Sequence, residues 1–193
     1  ADLPTVGDWV AAVDIGDGNC VIQELLPRKS KFSRSVSPSG RKDDSFSAKE
    51  QVVAANIDTV FIVSGLDRDH NISRIERYLT IAWNSGATPV VVLNKADIVD
   101  DAEDKRDEVE TTIIGSDVAV ISAKSDITEI EKHLVKGKTI ALLGSSGAGK
   151  STLINRILGF DQQKTAEVSK TIGKGRHTTT SRELFISDSG LIL

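Results

Sequence analysis

The stretch Gly144-Ser145-Ser146-Gly147-Ala148-Gly149-Lys150-Ser151 fits the pattern G-x-x-x-x-G-K-[ST]. Its chemistry is anion capture. Glycines let a backbone curl until several N–H groups point at one anion, and a helix starting at the end of the loop adds partial positive charge. Lys150 is placed to reach β- and γ-phosphates, the Ser151 hydroxyl to hold Mg²⁺, and Thr152 adjoins them as a further nucleotide contact. The flanks agree: the apolar run Thr139–Leu143 precedes the loop and an amphipathic segment, Ser151–Leu158, follows it.

A phosphate loop alone does not choose a base. Asn94-Lys95-Ala96-Asp97 does, at the end of the apolar run Val90–Leu93. The Asp97 carboxylate can accept hydrogen bonds from guanine N1–H and the 2-amino group; adenine offers neither donor there, which penalises ATP. Asn94 can tie this loop to the phosphate loop and reach guanine N7, and the Lys95 stem can lie over the ring. After the run Val118–Ile121 comes Ser122-Ala123-Lys124, where the Ala123 N–H can meet guanine O6 and Lys124 can cover the other side of the ring. The two loops with the phosphate loop make a guanine-nucleotide site; an ATPase is the weaker alternative.

The elements that must position these loops follow from the apolar pattern. Thr59–Val63, Pro89–Leu93, Val118–Ile121 and Thr139–Leu143 read as strands with no polar alternation. They alternate with helices expected over Ile72–Trp83, Ala102–Ile113, Ile127–Leu134 and Ser151–Leu158. Such an α/β alternation predicts a mainly parallel sheet covered on both faces. Arg182–Ile186 and Gly190–Leu193 read as an antiparallel hairpin. Residues 1–50 read as a smaller β-rich unit, with strands near Trp9–Val13 and Cys20–Ile22. Its segment Pro27–Asp44 reads as an exposed, mobile basic loop, in which Arg28, Lys29, Lys31, Arg34, Arg41 and Lys42 could meet RNA phosphates.

Composition sets limits. The chain has 193 residues and a net charge of −4, too acidic overall for a uniformly basic nucleic-acid binder. One cysteine, Cys20, excludes a disulfide framework and a cysteine-based zinc site within these residues. No apolar run is long enough to cross a bilayer. The start at Ala1, the absence of Met and the end on Leu191-Ile192-Leu193 suggest a piece of a longer chain.

In the usual small GTPases the phosphate loop comes first and the base-reading loops last. Here the base-reading loops come first, which implies a circularly permuted GTPase sheet. The chain resembles the bacterial ribosome small-subunit-dependent GTPase A family. The matching pieces are Val6-Gly7-Asp8-Trp9-Val10, Leu26-Pro27-Arg28-Lys29-Ser30, Glu50–Asp58, the three nucleotide loops, and Gly175-Arg176-His177-Thr178-Thr179-Thr180. The resemblance implies an N-terminal OB-like β-barrel, incomplete here, over residues 1–50 and the permuted GTPase domain over 51–193, with a zinc-binding domain in the full-length protein. It implies GTP hydrolysis stimulated by the 30S subunit during late subunit assembly. The expected cofactors are GTP or GDP, Mg²⁺ and, elsewhere in the protein, Zn²⁺. The expected partners are the 30S ribosomal subunit and its 16S rRNA, with no DNA or membrane partner, for a cytoplasmic monomer. Hydrolysis could alternatively be only the timer of a GTP-controlled rRNA-binding checkpoint.

The resemblance also gives roles in switch I. His177 positions or activates the attacking water, and Thr179 caps Mg²⁺ through its hydroxyl. Asp188-Ser189-Gly190 lacks the proline of the family's switch II motif and reads as the hairpin turn. The motif itself is expected after Leu193, so these residues are expected to bind nucleotide and hydrolyse it poorly.

Overall fold

The computed structural model describes residues 3–36, 49–159, 185–187 and 190–192. The chain divides into two compact units, Ala1–Ile57 and Asp58–Leu193. The first unit therefore runs past the expected boundary at residue 50, because a strand spans that position.

In the first unit, β1 (Val10–Gly16) and β2 (Asn19–Leu25) pair antiparallel, Val10 opposite Leu25 and Gly16 opposite Asn19. The connection is the two-residue turn Asp17-Gly18, the dipeptide that best matches the twist of a tight hairpin. β3 (Lys31–Val36) pairs antiparallel with β4 (Lys49–Ala55), Lys31 opposite Ala55 and Phe32 opposite Ala54. This corrects the reading of Pro27–Asp44 as a loop throughout: its first part holds a strand, with Phe32 buried. Serines and cations fill the run around Phe32 and mask the two-residue period. Among the described residues the four strands make two separate ladders and no closed barrel.

Three of the quoted segments meet inside this unit. Asn56 accepts the Lys29 N–H at 2.9 Å and donates to the Gly7 carbonyl at 2.9 Å. The Arg28 guanidinium grips Asp8 with two bonds, Nε to Oδ1 at 2.7 Å and Nη2 to Oδ2 at 2.8 Å. The bond to Arg28 holds the Asp8 carboxyl below its ordinary range, against the opposing effect of burial.

In the second unit six strands form one sheet in the order β7-β6-β5-β8-β10-β9. They are β5 (Thr59–Gly65), β6 (Thr88–Asn94), β7 (Asp117–Val120), β8 (Thr139–Leu143), β9 (Phe185–Ser187) and β10 (Gly190–Ile192). All pairs are parallel except antiparallel β9–β10, the pairing that the residues Asp188-Ser189-Gly190 lead one to expect. The interior strands are buried along nearly their whole length, as their unbroken apolar runs require. Phe61, Val63, Val90, Val92, Ile140 and Leu153 belong to one core cluster. Burying side chains of this size contributes roughly 1.5–3 kcal/mol each.

The helices are α1 (Ile72–Ser85), α2 (Ala102–Thr112), α3 (Thr128–Glu131) and α4 (Lys150–Leu158). In α1 the Asn71 side chain accepts the Arg74 N–H at 2.8 Å, capping the first turn. Ile75, Leu79 and Ala82 are buried at helical spacing, and Gly86 ends the helix in the left-handed region. At the β7 edge of the sheet, Glu129 accepts the Val120 N–H at 3.0 Å and Arg106 donates to the Val118 carbonyl at 3.3 Å. These side chains occupy backbone groups that an edge strand otherwise leaves open. Among the described residues, no helix is long and apolar enough to cross a membrane.

β5 and β8 are neighbours in the sheet. From β5 the chain moves outward to β6 and β7; from β8 the order runs the other way, through β10 to β9. The crevice beyond the carboxyl ends of β5 and β8 is thus a topological switch point, where open α/β sheets bind ligands.

Candidate functional site: three loops joined by Asn94

The phosphate loop leaves β8 and ends in α4, so backbone N–H groups at the start of α4 face the crevice region. Gly144 and Ser145 offer carbonyls to Lys150, whose Nζ donates to both, at 2.8 and 2.7 Å. Burial pushes the Lys150 ammonium below the ordinary lysine range, while the charge of Asp69 opposes that effect. Ser146 and Gly147 are exposed, Ala148 is buried, and Ser151 and Thr152 are half-buried in the first turn of α4. The Ser145 hydroxyl does not face outward: it donates to the Asp69 carboxylate.

The loop predicted to read the base is held by the same region. Asn94 is 2% exposed. Its Nδ2 donates to the Ala148 carbonyl at 2.8 Å, and its Oδ1 accepts the Ala123 N–H at 2.9 Å. One amide therefore joins all three predicted loops. Gly149 is part of this fit, because a Cβ there would stand 2.2 Å from Asn94 Nδ2. The predicted tie from Asn94 to the phosphate loop is present. The Ala123 N–H, expected to meet the base, here serves Asn94.

Asp97 is exposed, with Oδ1 accepting the Ser122 hydroxyl at 2.8 Å. Ser122 is buried, and its hydroxyl is spent on the Asp97 carboxylate. Lys124 is exposed beside it. Lys95 takes a left-handed backbone, φ 72°, and its ammonium meets Asp67 at 2.7 Å.

Asp67 and Asp69 were not singled out from the sequence. Both follow β5, at the switch point, and that position was the signal available. Of the expected RNA contacts, Arg28 is committed to Asp8, while Lys29, Lys31 and Arg34 are exposed, Arg34 donating to Gln51 at 2.9 Å. Arg41, Lys42, His177 and Thr179 lie outside the described residues.

A mainly parallel sheet with a G-x-x-x-x-G-K-S loop after β8, an N-K-x-D loop at the end of β6 and an S-A-K loop after β7, in that reversed chain order, defines a circularly permuted GTPase fold. Residues 25–193 match the family described as RsgA GTPase. The chain belongs to this family. A small ribosomal subunit biogenesis GTPase of Syntrophotalea carbinolica is 44% identical over 193 residues, which are 99% of this chain and 53% of that protein. Another, from Opitutus terrae, is 47% identical over 204 residues, covering 100% and 54%. The chain thus spans about half the length of the curated relatives it matches. YjeQ from Thermotoga maritima superposes with a TM-score of 0.67 at 26% identity, covering 98% of this chain and 59% of that one. YloQ, described as a circularly permuted GTPase, gives 0.62 at 21% identity with 98% and 56% coverage, a likeness of fold.

Proposed function

We propose that this chain is the guanine-nucleotide unit of a GTPase that acts in assembly of the small ribosomal subunit. In the intact protein GTP is hydrolysed to GDP and phosphate, and the 30S subunit stimulates that step. The observation that carries the nucleotide reading is the Asn94 amide, bonded at once to Ala148 and Ala123. It holds the base-reading carboxylate of Asp97 and the phosphate loop in one fixed frame. Lys150, at the end of that loop, is the residue read as meeting the phosphates of the nucleotide.

The residues present fit a magnesium ion. Ser151 stands in the first turn of α4, half-buried beside Lys150, where its hydroxyl could hold a cation. Bound there, Mg²⁺ neutralises charge between phosphates. Thr179 as a second ligand and His177 as the residue that positions water rest on the family resemblance.

The first unit is read as an OB-like RNA-binding element because it is built of antiparallel ladders and exposes Lys29, Lys31 and Arg34. Its partner in this reading is 16S rRNA, and its place of action the cytosol. The zinc of the intact protein rests on the resemblance; among the described residues no group of three or more His, Cys, Asp or Glu stands together.

GTP turnover by the full-length protein, with and without purified small subunits, tests this function. A clear rise in turnover supports it. Subunit binding with unchanged turnover would favour the checkpoint reading, and equal competition by ATP would overturn the guanine assignment.

A further inference from the structure

The loop of residues 66–71, between β5 and α1, carries two carboxylates, and each reaches a different candidate nucleotide loop. Asp67 Oδ2 meets Lys95 Nζ at 2.7 Å, across 28 residues of sequence. Asp69 Oδ2 accepts the Ser145 hydroxyl, across 76 residues. The loop itself is braced from three directions. Asp67 Oδ1 accepts the Asp69 N–H at 3.2 Å. Arg74 on α1 donates to Asp69 Oδ1 at 2.7 Å and to the Asp69 carbonyl. Lys105 on α2 donates to the Leu66 carbonyl at 2.9 Å. Neither carboxylate is therefore a free surface charge.

Gly65 shows how closely the parts fit. A Cβ there would stand 2.6 Å from Asp67 Oδ1 and 3.4 Å from Lys95 Cδ and Cε. The missing side chain leaves the space through which the Lys95 stem runs to its carboxylate. The backbone adds a link of its own, since the Leu66 N–H donates to the Asn94 carbonyl at 2.8 Å.

We infer that Asp67 and Asp69 are positioning residues of the nucleotide site, forming a clamp that sets the base-reading loop against the phosphate loop. Asp67 fixes the direction of the Lys95 stem, which covers the guanine ring. Asp69 fixes the back of the phosphate loop through Ser145, and Arg74 offsets its charge so that it does not repel phosphate. Both act through other residues; neither touches nucleotide. This inference rests on the guanine-nucleotide reading above.

The test is release of a fluorescent GDP analogue from the full-length protein, measured beside the melting temperature. Asp67→Asn and Asp69→Asn should each speed release about tenfold, the effect of losing one charge-assisted hydrogen bond. Asp67→Asn should add nothing in a Lys95→Met background, and Asp69→Asn nothing in a Ser145→Ala background. A general loss of packing would instead add to those backgrounds and track the melting temperature. Should Asp69→Asn fail to fold, Ser145→Ala removes the same bond from the other side. A wild type that binds no guanine nucleotide overturns the nucleotide reading and the clamp together. A wild type that binds, with folded variants that release GDP within about twofold of it or with purely additive effects, overturns the clamp alone.

Discussion

Asn94 Nδ2 and the Ala148 carbonyl, 54 residues apart in sequence, form a buried 2.8 Å hydrogen bond. The same amide accepts from Ala123, so its removal strands two backbone groups. Asn94→Ala should destabilise the second unit by about 3 kcal/mol, the cost of leaving buried polar groups unpaired. Asn94→Asp should not rescue it, because it sets a carboxylate against the Ala148 carbonyl. Thermal melting together with GDP titration checks both; an Asn94→Ala protein that melts and binds like wild type would refute the joining role.

Asp97 is exposed and oriented by Ser122. Asp97→Asn should weaken GDP binding and shift preference towards xanthine nucleotides, whose C2 carbonyl accepts from an amide. Ser122→Ala should lower GDP affinity by about fivefold while keeping guanine preference, since it removes one orienting bond. Competition between GDP and xanthosine diphosphate reads both outcomes.

Asp8 and Arg28 make a pH-dependent contribution to the first unit. The Asp8 carboxyl is held below its ordinary value of 3.8, so the unfolded chain binds its proton more readily. The stabilisation is present above that value and is lost as pH falls through the lower value of the folded state. Asp8→Asn should flatten the acid limb of an unfolding titration below about pH 4. Arg28→Ala should cost about 3 kcal/mol, because it leaves a buried carboxylate with the Thr5 N–H but without its charged partner. An unchanged acid limb in Asp8→Asn would remove this assignment.

At the β7 edge, Glu129→Ala should free the Val120 N–H and open the strand to pairing with another chain. The expected result is concentration-dependent association by light scattering, with little change in melting temperature. Monodisperse variant protein at high concentration would count against a protective role for Glu129.

The sequence makes the candidate nucleotide loops legible because their patterns are short and local. Gly144–Ser151 and Asn94–Asp97 each carry their chemistry within a few consecutive residues, flanked by apolar runs that can only be interior strands. What stayed hidden depends on partners far along the chain. Arg28 reads as a phosphate contact until Asp8 is seen against it. Ser122 shows no partner in the sequence, yet in the fold its hydroxyl lies on Asp97. Asp67 and Asp69 look like ordinary loop acids, and only the meeting of β5, β6 and β8 gives them Lys95 and Ser145. β3 was missed for a different reason: one buried phenylalanine among serines and cations is too weak a period to read.

Lys150, bonded to the Gly144 and Ser145 carbonyls, has a mechanical consequence. A side chain tied to carbonyls five and six residues before it closes the loop into a ring. Changing Lys150 therefore alters the shape of the loop as well as its charge.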